Sequence, residues 1–259
     1  MKVPLKIQEN EIESGKIYIS CLFDGIRDNL CHLDTGSTYT SIKWNEKFLN
    51  YPVSGSKVCR SASGISVEEE MITLESFRIG EFEKHDFEVV RYCEEKGQES
   101  RIGMSLMSNL FLNFNFLEES LLLKTSPNEN LENILEIDKR GLFYVNSEIE
   151  RSIYKTLWDT GAELTVVNPE VIESFSKNFE FIMDIPGGSD ATGSNVFFKL
   201  YKGKGLKIQG HQLVGNVLSM NFEPLKKKLG VDVDIILGFN HIRQLNWSFD
   251  LHTKTWSMI

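Results

Sequence analysis

Leu33-Asp34-Thr35-Gly36-Ser37 and Trp158-Asp159-Thr160-Gly161-Ala162 decide how this chain is read, because one loop is written twice, 125 residues apart. A threonine follows each copy at the same distance, Thr40 and Thr165. Ser61-Ala62-Ser63-Gly64 then returns as Asp190-Ala191-Thr192-Gly193, and Ile102-Gly103-Met104 returns as Leu237-Gly238-Phe239, in the same order. The last offset, 135 residues, also pairs Leu110 with Leu245 and Phe114 with Phe249 without a gap. One specified tripeptide is expected about 0.03 times in a chain of this length, so three ordered echoes mean an internal repeat. The growing offset places short insertions of the second copy in loops between its motifs.

Between the copies, Lys124 to Gly141 opens Lys-Thr-Ser-Pro-Asn-Glu-Asn and continues as a charged stretch, which is breaker and linker chemistry. The boundary is expected near residue 130, giving halves 1–130 and 131–259. Short apolar runs bounded by turn residues predict strands over Lys16 to Phe23, Met71 to Ile79, Phe87 to Tyr92, Phe111 to Phe116, Gly141 to Val145, Val196 to Tyr201 and Gly205 to Leu218. Helices are expected to be few and short: Trp44 to Leu49, Pro169 to Lys177 with proline in its first turn, and Pro224 to Leu229. The fold class is mainly β.

Composition excludes several function classes. The 259 residues are 41% hydrophobic and 25% charged, the balance of a globular protein able to bury its own core. Asp and Glu number 37 against 28 Lys and Arg, a net charge of −9, with no basic face to attract phosphate backbones, so nucleic acid is not an expected partner. Met1 to Ser14 is polar and acidic where a secretory signal would be apolar, and no run has the length to span a bilayer. A cytoplasmic location without a membrane partner is the expectation. Cys21, Cys31, Cys59 and Cys93 form no Cys-x-x-Cys pair and read as small buried hydrophobes. His32, His85, His211, His241 and His252 show no metal-ligand spacing, so neither a metal nor a cofactor is expected.

Two Asp-Thr-Gly loops suit one chemistry in particular. Hydrolysis of a peptide bond without metal or covalent nucleophile needs a base for the water and an acid for the carbonyl oxygen at the same moment. Two carboxylates about 3 Å apart supply both, because charges that close cannot both ionise and the pair shares a proton. Gly36 and Gly161 would let the backbone pass close to a carboxylate, and Thr35 and Thr160 carry hydroxyls able to bond across to the opposite loop. Asp34 and Asp159 are therefore the expected catalytic pair.

These motifs resemble those of aspartic proteases, pepsin-like and more closely retroviral-type, and the resemblance covers nearly the whole chain in two copies. It implies two similar retropepsin-like β-barrel lobes, residues 1–130 and 131–259, with the active-site cleft between them and no partner subunit needed. Flap hairpins would have their tips at Ser61, Ala62, Ser63 and Gly64 and at Asp190, Ala191, Thr192 and Gly193. Asp234-Ile235-Ile236-Leu237-Gly238 fits the family's apolar segment well, whereas Arg101 stands where a second apolar residue is usual. The function implied is an aspartic endopeptidase acting on an extended peptide or protein. Thr35, Gly36, Ser37, Thr160, Gly161 and Ala162 would support the dyad.

Ser37 faces Ala162 in the repeat, and a hydroxyl stabilises a neighbouring carboxylate where alanine cannot, so a mildly acidic to neutral optimum is expected. Only 33 residues precede Asp34, and no zymogen activation is expected. Blander readings stand beside each of these. Asp-Thr-Gly also favours plain turns, and a preserved fold can serve as a catalytically silent peptide-binding or scaffolding module. The small-residue tips could be unrelated hairpins, Gly103 and Gly238 simple strand bends, and Trp158 a core residue rather than a cleft wall.

Overall fold

A computed structural model describes residues 2–60, 66–92, 99–125, 131–189, 195–230 and 232–258. The protein is mainly β with short helices. In the first half, strands Gly15–Phe23, Ile26–Leu33, Arg101–Ile102, Ser41–Ile42, Phe82–Arg91 and Ser66–Ile79 are hydrogen-bonded in that order, and the last closes back on the first. The second half repeats the circuit with Phe143–Ile149, Ser152–Trp158, Ile235–Leu237, Thr165–Val167, His211–Ser219 and Asn195–Ile208. Each is a closed six-strand barrel, a form that leaves few strand edges unpaired. Period-two patterning drives closure: Ile17, Ile19, Cys21 and Phe23 all turn inward along one strand.

A third sheet joins the halves. Its six strands run Lys2–Pro4, Ser120–Lys124, Phe111–Asn115, Trp247–Asp250, Thr255–Met258 and Asn133–Ile134. Phe111–Asn115 pairs antiparallel with its own repeat, Trp247–Asp250, with Asn113 opposite Ser248, its equivalent at the offset of 135. Equivalent residues meeting each other is the mark of a two-fold axis, and Asn113 Nδ2 donates to Ser248 Oγ there at 2.8 Å. The expected division near residue 130 falls among residues 126–130, outside those described, and this sheet takes strands from both sides of it.

Several expected elements differ in extent. The run Gly205 to Leu218 is two strands, because Gln209 and Gly210 adopt φ of 48° and 79° and turn the chain into a hairpin. An apolar run hides a turn when the turn carries only one glycine. Trp44 to Leu49 is reduced to a 3₁₀ turn, Glu46–Phe48, whereas Pro169–Ser174 and Glu223–Leu229 are α-helical. Two further short helices, Met104–Met107 and Phe239–Ile242, follow Gly103 and Gly238.

Trp158 belongs to the core. It is fully buried among Phe114, Phe143, Trp247 and Phe249, with ring centroids 4.9, 5.5, 5.8 and 4.8 Å away. Phe114 comes from the first half, so this cluster fastens the halves directly beneath the Asp159 loop. Trp158→Ala is expected to cost about 3–5 kcal/mol, read as a lowered urea midpoint.

Candidate active site

Asp34 and Asp159 are each the first residue past a strand held in a parallel ladder. His32 and Leu33 pair with Arg101 and Ile102, and Leu157 and Trp158 pair with Ile236 and Leu237. The ladder continues one bond further in both halves, from Asp34 N to Ile102 O and from Asp159 N to Leu237 O, each 3.0 Å. The loops then turn identically, Ser37 N to Asp34 O and Ala162 N to Asp159 O at 3.3 Å. Met104 N bonds Ser37 O and Phe239 N bonds Ala162 O, each at 2.8 Å, so a short helix presses on each loop from behind.

That pressure explains Gly103 and Gly238. A Cβ on Gly103 would strike the Tyr39 carbonyl, and one on Gly238 the backbone of Leu164. Close approach lets the echoed threonines act: Gly103 N donates to Thr40 Oγ1 at 3.2 Å and Gly238 N to Thr165 Oγ1 at 3.0 Å. The threonine amides are taken by Ser105 Oγ and by Asn240 Oδ1, both at 2.9 Å. Ser105 and Asn240 fill equivalent places with different side chains, so the repeat did not reveal them.

The two loops lock each other. Thr35 N donates to Thr160 Oγ1 at 3.1 Å, and Thr160 N to Thr35 Oγ1 at 3.0 Å. Each hydroxyl then donates onward to the strand entering the opposite loop, Thr35 to Trp158 O at 2.9 Å and Thr160 to Leu33 O at 2.6 Å. Both threonines are wholly buried. Every donor in the ring has a partner, and none comes from water.

The lock brings the carboxylates together. Gly36 N donates to Asp159 Oδ1 across the junction at 3.0 Å, and Gly161 N donates to the same atom at 2.8 Å. A Cβ on Gly36 would overlap the Asp159 carboxylate, and one on Gly161 would overlap that of Asp34. Asp34 is buried; Asp159 keeps an accessible edge but is otherwise crowded by protein. Burial, with the charge of Asp34 second, raises Asp159 from 3.8 to about 7, against amide bonds from Gly161, Gly36 and Ala162 that favour its ionised form. The pair can therefore hold one proton into the neutral range.

Other expectations fare differently. Ser37 Oγ donates to Tyr39 O at 3.0 Å, because a hydroxyl two residues before a carbonyl closes a local turn; the expected support of a carboxylate by that hydroxyl is not made. Ser37 and Ala162 instead serve through their backbone. The two expected tip segments lie between paired strands, Val53–Arg60 with Ser66–Ile79 and Phe179–Ser189 with Asn195–Ile208. Ser61 to Gly64 and Asp190 to Gly193 themselves lie outside the described residues. Arg101 was read only as a flaw in an apolar segment, yet its Nη1 lies 3.9 Å from Asp34 Oδ2. Among the described residues no group of three or more His, Cys, Asp or Glu is placed to hold a metal ion, and no helix is long and apolar enough to cross a membrane.

Fold and site together define a mainly-β barrel protein in which two copies of one loop are interlocked through their side chains. No family model and no curated protein sequence matches the chain. Among solved structures it is similar to conglutin gamma, a basic 7S globulin from lupine seeds, with a TM-score of 0.60 over 99% of this chain and 94% of that one. Identity is 10%, so the likeness is one of fold.

Two tests follow from this geometry. Thr160→Val keeps the shape but strands Thr35 N and Leu33 O, and should cost about 1–3 kcal/mol for each stranded partner, measured by urea denaturation. The second uses pH. A folded-state pKa raised above the unfolded one makes Asp159 stabilising below about 4 and progressively less so as pH rises to about 7. Burial lowers His32 and, to about 4, His241, which acts in the opposite sense over an overlapping range. The wild-type stability minus that of Asp159→Asn isolates the aspartate, and that difference should fall from pH 4 to 7.

Proposed function

We propose that this chain is an aspartic endopeptidase with two retropepsin-like lobes in one polypeptide, residues 1–130 and 131–259, and with Asp34 and Asp159 as its catalytic carboxylates. The observation that carries the reading is the meeting of two Asp-Thr-Gly loops, 125 residues apart, in a reciprocal threonine lock that sets one carboxylate against the other. A plain turn has no use for that arrangement. The pair of long hairpins supports a cleft in which an extended peptide is bonded through its main chain like an added strand.

In this mechanism the ionised aspartate takes a proton from a water as its oxygen attacks the scissile carbonyl carbon. The protonated partner gives its proton to the carbonyl oxygen. The tetrahedral intermediate collapses with cleavage of the C–N bond, and the amine leaves carrying the proton first taken from water. No covalent adduct, metal or cofactor takes part. Both carboxylates lie in one chain, so the active form is a monomer, and the acidic composition suits a cytoplasmic location. A second reading, a module that holds peptides without cutting them, has one point in its favour: its structural neighbour is described as a seed globulin.

Incubation with a mixed peptide library separates the two. The wild-type protein should cleave it, and Asp34→Asn and Asp159→Asn should each lower kcat by at least about 1000-fold, as loss of an acid or base removes a step that nothing else performs. The pH–rate profile should fall on its alkaline side near pH 7, where Asp159 would lose the shared proton. Peptide binding without cleavage by the wild type would favour the silent module, and activity confined below pH 3 would contradict the proposed state of the pair.

A further inference from the structure

Around the dyad the two barrels repeat each other in backbone and diverge in four side chains. Matching parallel ladders make Arg101 the counterpart of Ile236 and His32 the counterpart of Leu157. The same matching sets Ser41 against Val166, and Tyr92, whose amide bonds Ile42 O, against Met220, whose amide bonds Val167 O. Beside Asp159 the wall is thus Leu157, Val166, Met220 and Ile236, all apolar and all buried. Beside Asp34 it is polar throughout, with Ser41 Oγ donating to the Tyr92 hydroxyl at 2.9 Å.

Arg101 is the charged member of that wall. Its side chain is 21% exposed and that of Asp34 10%, with 3.9 Å between Nη1 and Oδ2. The titratable groups around it are Asp34 and His32 from the neighbouring strand and its loop, Tyr92 from beyond Phe82–Arg91, Glu99 just before its own strand, and Asp159 from the other half. Burial opposes the guanidinium's charge, and Asp34, then Tyr92, Glu99 and Asp159, more than offset it. Burial also keeps His32 below its usual value, so it is neutral near pH 7. Glu99 is already held by Tyr18 Oη at 2.8 Å and Lys16 Nζ at 3.2 Å. Asp34 is the carboxylate left to balance Arg101.

We infer that Arg101 makes the dyad unequal: it keeps Asp34 as the carboxylate and leaves the shared proton on Asp159. Asp34 is then the base that takes the proton from water, and Asp159 the acid that protonates the scissile carbonyl oxygen. With both amides bonded to Asp159 Oδ1, its Oδ2 is the oxygen that carries the proton. Arg101 acts through Asp34 and is a positioning residue. The roles of base and acid rest on the peptidase reading; the distribution of charge does not.

The test uses the full chain with Arg101→Met and Arg101→Lys. Cleavage is followed against pH, and the aspartate carboxyls are titrated by ¹³C NMR, which needs no turnover. Arg101→Met should raise the lower of the pair's two macroscopic midpoints by about 1 pH unit or more, and the acidic limb of the rate profile with it. Arg101→Lys keeps the cation and should move both by less than half as much. A purely structural arginine would lower kcat and leave the midpoints in place, and that result in a folded Met variant overturns the inference. Should the Met variant not fold, the order of stabilities near pH 7 decides. Asp34→Asn leaves Arg101 unmatched and must be the less stable of the two asparagine variants; the reverse order overturns the inference. A wild type that cuts nothing yet shows the Arg101-dependent titration sinks the peptidase alone. A wild type that cuts with limbs indifferent to Arg101 sinks this inference alone.

Discussion

Everything in this structure answers to one constraint: two carboxylates with a strong mutual repulsion are held against each other inside a protein. Neither half can do this alone. The force that opposes the repulsion is the reciprocal bonding of Thr35 and Thr160, in which each hydroxyl accepts an amide from one loop and donates to a carbonyl of the strand entering the other. Four buried hydrogen bonds that satisfy every group are strong because the alternative, a stranded donor in the same place, is so unfavourable. The aromatic cluster around Trp158 lies under the lock and resists its opening, since parting the loops would also part Phe114 from Trp158.

Burial that seats the pair also sets its proton affinity. A carboxyl accepting two amide bonds would ordinarily be strongly acidic, and Asp159 accepts two at Oδ1. Desolvation and the adjacent charge of Asp34 outweigh those bonds and lift it to about 7. The neutral range thus comes from crowding at the junction, with the Ser37 hydroxyl occupied by Tyr39 O. The expectation of mildly acidic to neutral work keeps its direction and changes its cause.

The sequence carried the junction openly, because a loop whose every residue has a geometric task cannot vary: Asp34 and Asp159 titrate together, Thr35 and Thr160 interlock, and Gly36 and Gly161 leave room for carboxylates. Barrel strands such as Gly15–Phe23 were visible in their period-two pattern. What stayed hidden was set by partners distant in the chain. Ser105 and Asn240 perform the same bond with unlike side chains, so the echo between them is absent from the letters. The turn at Gln209 and Gly210 sat within a continuous β-forming run. Arg101 was in plain view as a charge among apolar neighbours, and only the spatial nearness of Asp34 turned it from a packing flaw into a counter-charge.

A single chain has a freedom in this arrangement that two identical halves would lack. A pair of aspartates sharing one proton carries one negative charge, and in a symmetric assembly any cation beside one carboxylate must also stand beside the other. Two buried guanidiniums would leave an excess positive charge at the junction and none would leave the negative charge bare, both costly in a poorly solvated site. With Arg101 on one side and Ile236 on the other, the charges sum to zero and the two carboxylates are no longer interchangeable. The repeat preserved what the lock requires to be equal, the Asp-Thr-Gly loops, and diverged in the wall behind them, where inequality settles which oxygen holds the proton.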